Sequence, residues 1–227
     1  MLLSIGVFFY YKAVQHEEIS RVLMLWQLIP VFVLVLSFLF LSEFLTKNRL
    51  IGFLFLFAAG IIVSYKKING SFRLSRAFYY MLVSTILISV YYLISKHTYE
   101  VTDFWSAFMW LRLSAFIPLL LLILPSARNQ FISTFKNMKH GIKGLVISKM
   151  ITDFSAFIIL GLAMLNGPIS LISALGSATA PVFIFAMTLF TSVYLPKIVK
   201  EPVDKKTILT KILAVAFIVA GIIFVNL

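Results

Sequence analysis

Residues 22–41 read VLMLWQLIPVFVLVLSFLFL, a stretch without a charge, with Gln27 and Ser37 as its polar side chains and Pro30 near its middle. A helix crossing the hydrocarbon layer needs roughly 20 mostly apolar residues. This run has that length. Comparable runs lie at about 50–65, 77–95, 104–124, 145–165, 169–195 and 208–226. The run at 50–65 is short, and Ser64 and Tyr65 extend it to a Lys66-Lys67 anchor. Met1–Val14 is too short for a full span. It has no basic leading segment, and Tyr10-Tyr11-Lys12 does not resemble a small-residue cleavage site, so it reads as a shortened transmembrane helix and not as a signal peptide. The expectation is an all-α polytopic membrane protein of about eight transmembrane helices.

Composition points the same way. Of the 227 residues, 61% are hydrophobic and 12% charged, with a mean hydropathy of +1.03. A soluble domain is about half apolar and about a quarter charged. The absence of cysteine excludes disulfides, thiolate metal sites and cysteine nucleophiles. The net charge of +12 does not indicate nucleic-acid binding, because the cations sit in short clusters between apolar runs, as the positive-inside bias produces. Trp26, Trp105 and Trp110 fall near run ends, where interface anchors are expected.

Three features recur in the same order. Ile19-Ser20 returns as Ile169-Ser170, Pro30-Val31-Phe32 as Pro181-Val182-Phe183, and Ala59-Gly60-Ile61-Ile62 as Ala220-Gly221-Ile222-Ile223. The helices carrying Pro30 and Pro181 are five spans apart and therefore cross the membrane in opposite directions. That is an inverted-topology repeat, a common plan of secondary transporters. Residues 1–66 form the last three helices of a first copy, 67–76 a basic linker, and 77–227 a complete second copy. A five-helix period implies ten helices in two full copies. Two are expected before Met1.

The segment Tyr11-Lys12-Ala13-Val14, with Ile19-Ser20, Pro30-Val31-Phe32, Ser42-Glu43 and Ala59-Gly60-Ile61-Ile62, resembles the last three helices of an EamA unit of the drug/metabolite transporter superfamily. Gly167-Pro168-Ile169-Ser170 through Pro181-Val182-Phe183 to Ala220-Gly221 resembles a second unit. The resemblance implies inverted five-helix repeats and small-molecule transport. It departs from the family at Ser42-Glu43, where Gly-Glu is frequent. Glu201 is the nearest equivalent of Glu43 in the second copy.

Alternating loops place Arg21, Lys66, Lys67, Arg73, Arg76, Arg128, Lys136, Lys139, Lys143, Lys197, Lys200, Lys205 and Lys206 on one side, against Lys47, Arg49 and Lys96 on the other. The first side is therefore expected to be cytoplasmic and the C-terminus outside. The resemblance implies the opposite, a cytoplasmic C-terminus. In the connection 126–144, Phe131, Ile132 and Phe135 share a side of a potential helix. It reads either as a basic helix on an anionic membrane surface or as a solvated connector.

Polar residues at membrane depth are the candidate pathway residues. Trp26, Gln27 and Pro30 lie on one helix, and Pro181 repeats the kink in the second copy; a proline in a span frees a carbonyl that suits a cavity. Arg112 is either an anion contact or a cation reaching toward headgroups. Lys149 and Asp153, four apart, share a face and serve either as a functional pair or as an intrahelical ion pair. Lys12 either lines the pathway or reaches to the interface. Tyr91, Tyr92, Lys96 and His97 read as an interface belt. Gly52, Ala59, Gly60, Ala214, Ala220 and Gly221 allow close helix packing.

No nucleotide-binding loop, metalloprotease motif or nucleophile elbow is present in the sequence. No enzyme activity, cofactor or metal is expected. The function expected is secondary transport of a small metabolite or drug-like solute by alternating access, as export or exchange, in the cell membrane. The expected partners are the lipid bilayer and a solute, with a coupling ion and a homodimer as options and no nucleic acid. The alternatives are a non-transporting membrane subunit or inactive fragment, and a lipid-handling membrane protein.

Overall fold

The structure is a computed structural model that describes residues 1–43, 46–68, 71–194 and 205–226. The side chains of 20, 63–68, 71–74, 178–179, 181–182, 185, 188–189, 191–194, 205–208 and 226 lie outside that description. Lys197, Lys200 and Glu201 also lie outside the described residues.

The described chain is almost wholly helical: α1 (Leu2–Val14), α2 (Ile19–Met24), α3 (Leu28–Leu41), α4 (Lys47–Ser64), α5 (Arg76–Val101), α6 (Phe104–Phe116), α7 (Pro125–Asn137), α8 (His140–Asn166), α9 (Ile169–Tyr194) and α10 (Lys205–Asn226). In lipid, backbone groups must bond within their own segment, and helices do this. Among the described residues, Arg21–Leu41, Arg76–Val101, Phe104–Ile123 and His140–Asn166 are long and apolar enough to span a membrane. Leu2–Val14 and Leu209–Val225 are shorter apolar helices. The protein is an integral, multi-pass membrane protein.

Two local features depart from the sequence reading. Part of the connection expected as a basic linker forms a short antiparallel pair, Tyr65–Ile68 with Ser71–Leu74, in which Tyr65 faces Leu74 and Ile68 faces Ser71. The run expected to end at 95 continues to Val101, so Lys96 is a helical residue and not a loop cation. Its bonds, described below, explain why.

The chain divides into two compact units. The larger holds Leu2–Leu93 and Pro168–Leu227; the smaller holds Ile94–Gly167 together with Met1.

In the larger unit, α4 and α10 pack through small residues. A Cβ on Gly52 would stand 2.6 Å from Val225 Cγ2 and 2.7 Å from the Gly221 carbonyl oxygen, and one on Gly221 would stand 2.8 Å from Leu56. Residue numbers fall along α10 as they rise along α4, so the two helices run antiparallel. Ala59 and Ala214 are fully buried in the same core, with Leu56 and Ile218. Lipid gives helices little hydrophobic drive to associate, and close backbone approach supplies dispersion contact instead.

Also in the larger unit, α3 ends at Ser42, which adopts φ 53° and ψ 31°, and whose N–H bonds the Ser37 carbonyl. This is the left-handed closing conformation that glycine adopts without a Cβ penalty.

The smaller unit contains a helix tie of a different kind. Lys96 is 9% exposed, and its Nζ donates to the Met164 carbonyl (2.5 Å) and the Gly167 carbonyl (3.2 Å), which closes the C-terminal end of α8. It also pairs with Glu100 at 3.0 Å. A cation over the last carbonyls of a helix satisfies orphan acceptors and complements the helix dipole. Lys96 and the buried Tyr91 are therefore not members of an interface belt. A Cβ on Gly161 would stand 2.6 Å from the Tyr99 hydroxyl, and Tyr99 stacks on Phe104 at 5.5 Å.

Candidate solute pathway in the larger unit

The span Arg21–Leu41 is not uniform. Leu25–Gln27 forms a tight 3-10 turn between α2 and α3, and Pro30 occupies the first turn of α3. Pro30 has no N–H to give to the Trp26 carbonyl, so the α-helical ladder is interrupted where Trp26 and Gln27 sit. Gln27 is fully buried. Its Nε2 donates to the Ser177 carbonyl of α9 at 2.8 Å.

That carbonyl is available for a reason legible in the sequence. In a regular helix the N–H of residue 181 would bond the carbonyl of residue 177, and residue 181 is proline. Gln27 thus takes up the acceptor that the second proline frees. Ser177 turns its own hydroxyl to the Ser173 carbonyl at 2.6 Å. The side chain of Pro181 lies outside the described residues; its backbone is part of α9.

Two polar atoms here remain without a hydrogen-bond partner: Gln27 Oε1 and Trp26 Nε1, both buried. A buried polar group left unpaired costs about 1–3 kcal/mol. Trp26 packs against Tyr10 of α1, ring centroids 5.3 Å apart. The partly buried Trp26, with its nitrogen sealed, is not an interface anchor. Trp105 and Trp110 are exposed. One donor and one acceptor, held on an interrupted helix, can exchange bonds with a polar solute without breaking a protein–protein bond.

Charged contacts flank this turn along the chain. On one side, Glu18 accepts from Lys211 Nζ at 2.8 Å and lies 3.6 Å from Arg21 Nε; Lys211 is almost fully buried. On the other side, Glu43, just past the end of α3, takes three donors at the start of α9: the Ile169 N–H (2.6 Å), the Ser170 N–H (3.3 Å) and the Ser170 hydroxyl (2.6 Å). A carboxylate at a helix N-terminus satisfies orphan donors and meets the positive end of the dipole. α3 meets α9 at Gln27–Ser177 and at Glu43–Ile169, so these helices also run antiparallel.

The sequence-derived candidates are distributed unevenly. Trp26, Gln27 and Pro30 lie together on the interrupted span, where Gln27 bonds α9 and Trp26 packs on Tyr10. Lys12 in α1 lies over Phe8, 5.7 Å from its ring centre. In the smaller unit, the Arg112 guanidinium lies over Phe157 at 3.7 Å and near Phe108 at 5.7 Å. Aromatic faces thus take up much of that cation's field. Lys149 and Asp153 form an ion pair along the exposed side of α8. Sequence reasoning passed over Glu18 and Lys211 as site residues and treated Glu43 only as part of a family motif. The available signal was a carboxylate beside a span end, together with a helix start whose N–H groups need an acceptor. Among the described residues, no group of three histidine or acidic side chains could hold a metal ion.

Residues 1–65 match the EamA-like transporter family. This stretch is EamA-type. No curated protein matches the chain. The EamA-type segment includes α1 to α4, and therefore Trp26, Gln27, Pro30, Glu18 and Glu43. The match covers 65 of the chain's 227 residues.

Proposed function

We propose that the protein is a secondary transporter that moves a small metabolite or drug-like solute across the cell membrane by alternating access, as an exporter or exchanger. Residues 67–227 act in this reading as linker and second inverted copy. The observation that carries it is the buried, unpartnered pair Trp26 Nε1 and Gln27 Oε1 within the EamA-type segment. A helix interrupted beside buried polar atoms is how transporters contact polar cargo at membrane depth. In this mechanism the solute accepts from the Trp26 indole and donates to the Gln27 amide. The Glu18–Lys211 pair and the Glu43 bonds to α9 close the two ends alternately. Breaking one set while keeping the other opens the site to one side at a time. The antiparallel pairs α4/α10 and α3/α9 support the inverted-repeat reading, because equivalent helices in inverted copies run oppositely.

The test is counterflow in proteoliposomes carrying the full chain, across a panel of neutral, zwitterionic, anionic and cationic solutes. Saturable exchange of one class is expected. Trp26→Phe and Gln27→Met should each reduce it at least about tenfold, the equivalent of 1.4 kcal/mol, with the unfolding midpoint followed to separate function from folding. Absence of exchange across the panel in well-folded protein would sink the proposal.

A further inference from the structure

The helix α7 is placed at a membrane face by its connections. Leu124 alone separates Pro125 from the span Phe104–Ile123, and Met138 and Lys139 alone separate Asn137 from the span His140–Asn166. Its residues are exposed throughout, Ala127 apart, which is partly covered. At 100° per residue, Ala127, Phe131 and Phe135 form one face, with Arg128 and then Ile132 along its edge. The opposite face holds Ser126, Gln130, Ser133 and Asn137. Phe131 is 55% exposed and Phe135 50%, and their rings stack at 6.4 Å. Water is a poor neighbour for such a face, and the described residues leave it exposed.

The charges around this face have one sign. Residues 104–152 contain no aspartate or glutamate, while Arg128, Lys136, Lys139 and Lys143 fall in and just after α7. Lys143 Nζ stands 5.2 Å from the Phe135 ring centre, so a cation and an apolar ring are presented together. Phenylalanine rings suit the boundary of headgroups and acyl chains, and cations suit the phosphates just above it. The spans on either side of α7 put it beside the bilayer surface, the nearest apolar neighbour such a face could have. The bilayer is already there.

We propose that α7 lies flat on the leaflet as an anchor for anionic phospholipid. Phe131 and Phe135 enter the acyl boundary, and Arg128, Lys136, Lys139 and Lys143 hold anionic headgroups. This surface is separate from the Trp26–Gln27 site and stands whether or not that site carries solute.

The absence of native cysteine makes the test direct. Phe131→Cys and Ser133→Cys, each in the full chain, are labelled with an environment-sensitive fluorophore. Each is placed in nanodiscs of pure phosphatidylcholine and in nanodiscs containing phosphatidylglycerol. The expected result is a blue-shifted label at 131, quenched by iodide several-fold less than the label at 133. The difference should be larger with phosphatidylglycerol and weaker at high salt, because exposed charges are screened. Lys136→Glu, Lys139→Glu and Lys143→Glu together should abolish the lipid dependence while leaving the unfolding midpoint unchanged. Equal quenching at 131 and 133 would overturn the proposal. So would protection at 131 that ignores lipid charge and the triple reversal, which indicates a merely apolar helix. Protection that appears only with two protein copies per disc would instead assign the face to a second copy.

Discussion

The two units contain spans of similar composition that behave differently. In the larger unit, 61% of the apolar window in Arg21–Leu41 is buried, whereas in the smaller unit the figure for His140–Asn166 is 6%. The buried span carries Gln27 and Ser37, each bonded to a backbone carbonyl. The exposed one presents Leu145, Ile147, Met150, Ile151 and Phe154 outward. Hydropathy reports only that a helix tolerates lipid. Whether it faces lipid or protein depends on small residues and placed hydrogen bonds, since lipid and leucine are equally apolar.

The sharpest way to break this contrast is at glycine. Gly52→Leu in the α4–α10 crossing must displace Val225 or the Gly221 backbone, and should destabilise by about 3 kcal/mol, as overpacking does. In the smaller unit, Gly141 and Gly144 have nothing within 4 Å of an added Cβ. Gly144→Ala should therefore be neutral or stabilising by up to about 1 kcal/mol through helix propensity. Both are read by unfolding in mixed detergent micelles. Equal effects would show that the difference in packing has no energetic meaning.

Each unit also contains a long-range polar tie that should outweigh any local pair. Lys96→Met leaves the α8 carbonyls unpaired and should cost about 2 kcal/mol. Lys149→Met, which removes an exposed pair within one helix, should stay within about 0.5 kcal/mol. In the larger unit, Glu43→Ala should cost about 2 kcal/mol. A double-mutant cycle with Ser170→Ala should show a coupling of at least about 0.5 kcal/mol; additive effects would remove the proposed closure between α3 and α9. Ser42→Gly should add up to about 1 kcal/mol by relieving a side chain at positive φ.

The smallest effect is expected in the smaller unit. Asp103 accepts from the Ser106 N–H at 2.9 Å and caps α6. That bond holds its carboxyl below the ordinary range. A lowered folded-state pKa adds stability above the ordinary carboxylate pKa, and this is lost as pH falls through the depressed value. Amide exchange at Ser106, corrected for its intrinsic pH dependence, should lose protection in that acid window. Asp103→Asn should remove the pH dependence.

Much of the helical order could be read along the chain. The runs at 22–41, 104–124 and 145–165 lie within or on the observed spans, and Pro30 did mark an irregular turn. Lys96 was misplaced because a charge was taken to end a span. Inside a protein a helix can run on past a charge when another helix supplies carbonyls to it. Trp26 was placed at an interface and also among the pathway residues; in the structure its indole nitrogen is buried without a hydrogen-bond partner.

The sequence by itself determined that this chain lives in lipid and which carbonyls its prolines free, because these depend on local composition and on the covalent structure of proline. Only the tertiary structure decided that Gln27 takes the Ser177 carbonyl, that Glu43 caps α9, and that Lys96 closes α8. These bonds join residues 150, 126–127 and 68–71 positions apart. Helical periodicity names the face a side chain occupies, and folding alone selects the helix that meets it.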